Sequence, residues 1–240
     1  MSGRQPLWER FIPFPSVPRD VASAISQRLT WSKALFALLV LNLVWTASLF
    51  IAPYTVPPGS FAYQVGGANI VDHGDIWATF PLYARIVYTF GDSQCHQLWF
   101  RSFWLNGNQM PIDARMTSMY IFANLGVLAV MFARPSTSTG QVMLNAFPMF
   151  IRRRLQSLGA ERAGAMIVIV GLLPTAIDGF TQLFAVGGYE STNLMRVLTG
   201  APLGYVGGLL VGAMLVTIRQ FTIEMDEMRA RAYAYSRAQP

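Results

Sequence analysis

Two groups of residues in this sequence have types and spacings that could do chemistry. The first runs Cys95-His96-Gln97, then Arg101-Ser102-Phe103, Gly107, Pro111, Asp113 and Arg115. A thiolate, an imidazole and a carboxylate are ligand types that hold zinc, and three protein ligands plus a water make a catalytic site. Cys95, His96 and Asp113 are therefore the candidate ligands for zinc or another divalent metal. Neighbours on a helix diverge by about 100 degrees, so Cys95 and His96 reach one ion together only from an irregular backbone. The competing reading is a buried cysteine and a hydrogen-bonded histidine under a surface cap. His73, in Asp72-His73-Gly74-Asp75, is read as a solvated loop residue.

The second group runs Ile177-Asp178-Gly179, Thr181-Gln182, Ser191-Thr192-Asn193, Arg196 and Thr199-Gly200. An ionisable residue inside an apolar run marks function by default and requires a partner. Arg196 is the expected partner of Asp178, and a purely structural ion pair joining two helices is the alternative. Asp178, Gln182, Asn193 and Arg196 are the candidate catalytic residues, since Gln182, Asn193 and Thr199 exceed what one ion pair needs. Arg101 and Arg115 are candidate substrate-binding cations that, with Arg196, could hold an anionic head group or phosphate. Pairing of these cations with Asp92, Asp113 and Glu190 is the bland alternative.

The elements that must position these groups are membrane helices. The chain has 240 residues, 53% hydrophobic and only 12% charged, with a mean hydropathy of +0.37, too apolar for an ordinary soluble domain. Four apolar stretches, 35–52, 118–133, 165–186 and 200–218, are each long enough to cross a bilayer once flanking residues are added. Lys and Arg number five in 1–34, five in 134–163 and four in 219–240, against three in 54–117 and one in 187–199. Basic flanks favour the cytoplasmic side, so both termini are expected there, with 54–117 and 187–199 facing out. The same reading accounts for the net charge of +6 without nucleic acid. Both groups of candidates then fall at the outer face.

The fold expected is an all-α polytopic helix bundle of about four transmembrane helices. Residues 1–32 read as a Pro-rich interfacial arm with no cleavable signal, 33–219 as the membrane domain and 220–240 as an amphipathic cytoplasmic tail. The loop 54–117 is too long to lack structure, and its apolar patches, with Trp99, Phe100, Phe103 and Trp104 at near-helical spacing, predict a helical outer cap. Pro174 should kink the third span or free a carbonyl near residue 170, and Ser191 or Asn193 should cap the fourth. Gly200 to Gly204 and Gly208 to Gly212 allow close approach of another helix. With one cysteine, no intrachain disulfide forms.

Over about 85–215 the chain resembles a family of bacterial and archaeal integral membrane proteins catalogued only as a domain of unknown function. The resemblance rests on Cys95, His96, Gln97, Arg101, Ser102, Phe103, Gly107, Pro111, Arg115 and Tyr120, then Asp178, Gly179, Thr181, Gln182, Ser191, Asn193, Arg196, Thr199 and Gly200. Asp113 and Met116 stand where the family pattern has two further cysteines, and Ser118 where it has glycine. Asp still suits zinc, whereas Met suits it poorly. The resemblance implies the cytoplasmic membrane of a bacterium or archaeon and supplies no reaction. Two functions stay open: a metal-assisted hydrolase or transferase on an outer-leaflet lipid or isoprenoid, and a non-catalytic accessory or assembly subunit of a larger membrane complex. A transporter ranks below both, for want of repeats and a midplane site.

Overall fold

The computed structural model describes residues 31–67, 70–184 and 186–238, with residues 237 and 238 described by backbone alone. The arm expected over residues 1–32 lies outside the described residues, save its last two. Helix α1 spans Lys33–Ile51, opened by the Ser32 side chain accepting from Leu35 N–H at 3.3 Å. It continues through a 3-10 turn, Ala52–Tyr54. Two short helices follow, α2 (Gly74–Thr79) and α3 (Leu82–Asp92), then strands β1 (Ser102–Leu105) and β2 (Asn108–Asp113). Helix α4 (Ala114–Met131) leads to the short α5 (Thr139–Asn145) and α6 (Met149–Gln156), then α7 (Ala160–Leu183) and α8 (Asn193–Ala238).

Four of these are long and apolar enough to cross a membrane: Lys33–Tyr54, Ala114–Met131, Ala160–Leu183 and the segment Asn193–Ser236. Helix α1 buries Leu35, Leu39 and Leu49 and leaves Leu41, Leu43 and Val44 exposed, the pattern of a helix with an apolar solvent on its outer side. The last helix, with 46 residues, is roughly 70 Å long, over twice a bilayer core. Helix α7 passes through Pro174 without interruption.

Glycine sets the packing of α4 on α8. A Cβ placed at Gly200, Gly204 or Gly208 would come within 2.6, 2.2 and 2.1 Å of the backbone oxygens of Arg115, Met119 and Ala123, and one at Gly126 within 2.1 Å of Tyr205 O. No side chain fits at such distances, so the backbones meet directly, as the four-residue spacing anticipates. Gly212 continues the line against Val130. An apolar core lies along these helices, with Leu35, Val130, Met143, Leu144, Ile167 and Leu209 among its members.

A second core, including Leu49, Phe61, Trp77, Tyr88, Met110 and Ile112, sits under the cap. The cap is helical over α2 and α3, as expected, and departs from the helical expectation only further along. Residues 94–105 form no helix: they run through a 3-10 turn, Trp99–Arg101, into β1, which pairs antiparallel with β2. The reason is local, since Asn106 and Gly107 take φ of 50 and 68 degrees, the two positive values a two-residue hairpin turn demands. Buried amides then lock the hairpin to its neighbours. Gln97 Nε2 donates to Pro111 O at 2.8 Å, Gln109 Nε2 to Gln97 O at 2.9 Å, and Asn108 Nδ2 to Pro53 O at 3.1 Å.

Candidate functional site

The hairpin delivers the first cation of the site. Strand β2 ends at Asp113, whose Oδ1 accepts from Met116 N–H at 2.8 Å and so caps α4. The Asp113 N–H in turn donates to Cys95 Sγ at 3.3 Å. Arg115, in the first turn of α4, is thereby aimed at α7. There it forms an ion pair with Asp178, a buried carboxylate on the cap end of that helix. The expected partner, Arg196, does other work. Its Nη2 donates to Gln182 Oε1 at 3.1 Å and its Nε to Ser191 O at 3.1 Å.

Asp178 collects further donors from the connection between α7 and α8. Tyr189 OH donates to Oδ1 at 2.6 Å and Ser191 Oγ to Oδ2 at 2.9 Å. The Thr199 hydroxyl lies 3.4 Å from Oδ2, but its one proton has a better acceptor in Met195 O at 2.8 Å. Tyr189 reaches in because Gly187 and Gly188 take φ of 63 and 71 degrees and fold the chain back. Hydrogen bonding to Asp178 holds the Tyr189 phenol above its ordinary pKa. Thr192, rather than Ser191 or Asn193, opens α8, its Oγ1 accepting from Met195 N–H at 3.3 Å. Ser191 is spent on Asp178, and Asn193 Nδ2 donates to Ser102 O at 3.3 Å, tying α8 to the hairpin.

Arg101, Arg115 and Arg196 share this corner, for the charges of Arg101, Asp113, Arg115 and Asp178 all act on the Arg196 guanidinium. Arg101 leans over the Phe100 ring and lies 3.7 Å from Glu190, an acid 60% exposed, which makes that pair a weak tie. The cluster also holds polar atoms that are buried without a protein partner: Arg101 Nε, Arg115 Nε, Gln182 Nε2 and Asn193 Oδ1. Three of the four are donors. Buried donors of this kind are ordinarily satisfied, and leaving one bare costs about 1–3 kcal/mol.

The proposed metal ligands are arranged differently. Cys95 is buried, and burial, then the neighbouring Asp113 charge, push its thiol up to about 12. Asp113 is occupied in capping α4, and His96 lies at the surface while its carbonyl accepts from Gly66 N–H at 2.8 Å. Thus Cys95 and Asp113 meet through a backbone amide, and the three side chains are not gathered around a point. Among the described residues, the group whose ligand atoms do lie within 4.8 Å of one another is Asp72, His73 and Asp92. His73, expected to be solvated, is buried in the cap against Phe61 and Trp77. Sequence reasoning missed this group because Asp92 lies 19 residues from His73 and only the fold of α3 brings it back.

Residues 95–210, which contain the whole Arg101–Arg115–Asp178–Arg196 cluster, match a family described as "Predicted membrane protein (DUF2085)". An uncharacterized protein of Methanothermobacter thermautotrophicus is 30% identical over 110 residues, 46% of this chain and 77% of the relative. The chain belongs to the DUF2085 family. An uncharacterized protein of Methanocaldococcus jannaschii is 28% identical over 167 residues, which is 70% of this chain and 83% of the relative. No solved structure matches significantly. The DUF2085 segment begins at Cys95 and ends within α8, so it takes in the hairpin, α4 and α7 while leaving out α1, His73 and Asp92.

Proposed function

We propose that the cluster at the cap end of the bundle binds the phosphate-bearing head group of a lipid or isoprenoid, with Arg101, Arg115 and Arg196 as its cations. The observation that carries this reading is the set of buried, unpartnered donors, Arg101 Nε, Arg115 Nε and Gln182 Nε2, on one cluster. A phosphate has oxygen lone pairs enough for all three and a charge that guanidinium groups recognise. An apolar cavity of about 260 Å³ runs along the α4–α8 seam beside Met116, Met119, Tyr120 and Gly204, a fit for part of an alkyl chain at membrane depth. The distribution of basic residues supports an outer-leaflet position for this end.

Asp178 is bound by Arg115, Tyr189 and Ser191. Before it could act as a general base in a hydrolase or transferase it would have to shed donors that stabilise its charge. Its present bonds support a role in holding Arg115, with recognition preceding any chemistry. A second reading, an accessory subunit of a larger complex, is favoured by the reach of α8 beyond a bilayer, where Phe221 and Met228 stand exposed. It calls for fixed partners that copurify in mild detergent.

The test uses the full chain in nanodiscs with a polyprenyl phosphate, the matching alcohol and inorganic phosphate as ligands. The phosphorylated lipid should bind at least 10-fold more tightly than the alcohol, and Arg101→Gln should remove most of that advantage. Equal binding of the alcohol, or full binding by Arg101→Gln, would refute the reading. Binding of inorganic phosphate with the same dependence on Arg101 would assign the site to the free anion.

A further inference from the structure

We propose that Asp72, His73 and Asp92 form a divalent-cation site in the cap, separate from the arginine cluster and independent of its function. His73 Nδ1 lies 2.9 Å from Asp72 Oδ1 and 3.5 Å from Asp92 Oδ1. Around an ion with bonds of about 2.1 Å, adjacent ligand atoms are roughly 3.0 Å apart in octahedral and 3.4 Å apart in tetrahedral geometry. The observed separations fall at these two values. All three ligand atoms lie within 4.8 Å of one another.

The second oxygen of each carboxylate is held by the protein. Asp72 Oδ2 accepts from Gly67 N–H at 2.6 Å, while Asp92 Oδ2 accepts from Trp77 Nε1–H at 2.8 Å and from His73 N–H at 3.2 Å. These bonds fix the carboxylates so that both Oδ1 atoms face Nδ1, the arrangement outer-shell donors produce around metal ligands. At the centre two atoms remain buried without a hydrogen bond, His73 Nδ1 and Asp92 Oδ1. Asp92 is fully buried and His73 is 9% exposed. A proton on Nδ1 can satisfy one carboxylate at most, and near Asp72 it makes no well-aligned bond. A cation would satisfy both oxygens and the nitrogen together.

The surroundings keep a way in. Asp72 is 38% exposed, and a Cβ at Gly66 would fall 2.9 Å from His73 Cε1 and 3.0 Å from Asp72 Oδ1, so a side chain there would press on both ligands. One nitrogen and two carboxylate oxygens suit zinc or manganese and lack the sulfur that selects Cu(I). Three protein ligands leave a position for water or for an oxygen of a bound molecule. At minimum the ion ties the segment before α2 to the end of α3, which packs through Gly91 on Pro111 of the hairpin.

Titration of zinc into the chelator-stripped, detergent-purified full chain, with metal content measured after dialysis, tests this. One site per chain is expected. It should weaken at least 100-fold in Asp72→Asn and in His73→Gln, and 10- to 100-fold in Trp77→Phe, which removes an orienting donor along with part of a buried ring. Cys95→Ser should bind like the parent. Asp72 is partly exposed, so its variant tests the site even where His73→Gln fails to fold. Cobalt in place of zinc should give ligand-field bands without thiolate charge transfer. No saturable binding by the parent, undiminished binding in Asp72→Asn, or a thiolate band lost in Cys95→Ser would each overturn the proposal.

Discussion

Replacing Arg115 by Met should destabilise the bundle far more than its chemistry alone suggests. The Arg115 and Asp178 side chains are 17% and 4% exposed, so the change leaves a carboxylate with almost no water to take over from the guanidinium. Breaking a buried pair from one side costs about 3–5 kcal/mol. Here Tyr189 and Ser191 still donate to Asp178, and Arg196 remains nearby, which places the loss near the lower limit of about 3 kcal/mol. Asp178→Asn removes the charge that needs compensation, so the double variant Arg115→Met/Asp178→Asn should recover about 2 kcal/mol relative to the sum of the singles. Unfolding of the four proteins from mixed micelles with rising SDS gives the cycle directly. The same cycle with Arg196→Met should show the weaker coupling, because Arg196 bonds Gln182 and the Ser191 carbonyl instead of the carboxylate. Additive effects for Arg115 and Asp178, or stronger coupling through Arg196, would refute the assignment of partners.

The Cys95 thiol, raised to about 12, is held neutral in the fold. Its unfolded counterpart titrates at about 8.5, so the stabilisation from a buried neutral thiol is full below that pH and is lost as pH climbs toward 12. Iodoacetamide at pH 8 should therefore label Cys95 only after unfolding, as mass spectrometry of native and SDS-treated protein would show. Gly204→Val has no space beside Met119 O and should cost about 1–3 kcal/mol or more in the same SDS titration, while Gly207→Ala, facing open space, should be nearly silent. Asp113→Ala should cost about 1 kcal/mol through the lost cap of α4. Through misplacement of Arg115, it should also weaken polyprenyl phosphate binding measured in nanodiscs.

The helical spans, the basic flanks and the glycine spacing were legible because they are periodic or compositional. A bilayer demands about 20 apolar residues per crossing, and Gly200 to Gly212 recur at the repeat of one helix face. The hairpin had its own signal in Asn106-Gly107, but the aromatic spacing over 94–105 competed with it, and the turn chemistry prevailed. The polar residues of the two motifs were also visible, since charged groups are scarce in an apolar chain. Their pairing was not. On one line of sequence Asp178 stands closer to Arg196 than to Arg115, yet the α4–α8 glycine contact and the Asp113 cap swing Arg115 across to α7 and release Arg196 for Gln182. Likewise, Cys95 and His96 looked alike as ligands until tertiary packing buried one and exposed the other, while α3 returned Asp92 to His73. Composition and periodicity act through local and solvent free energies that each residue carries with it. Which charge meets which depends on contacts among segments many residues apart, and these exist only once the helices and the hairpin have packed.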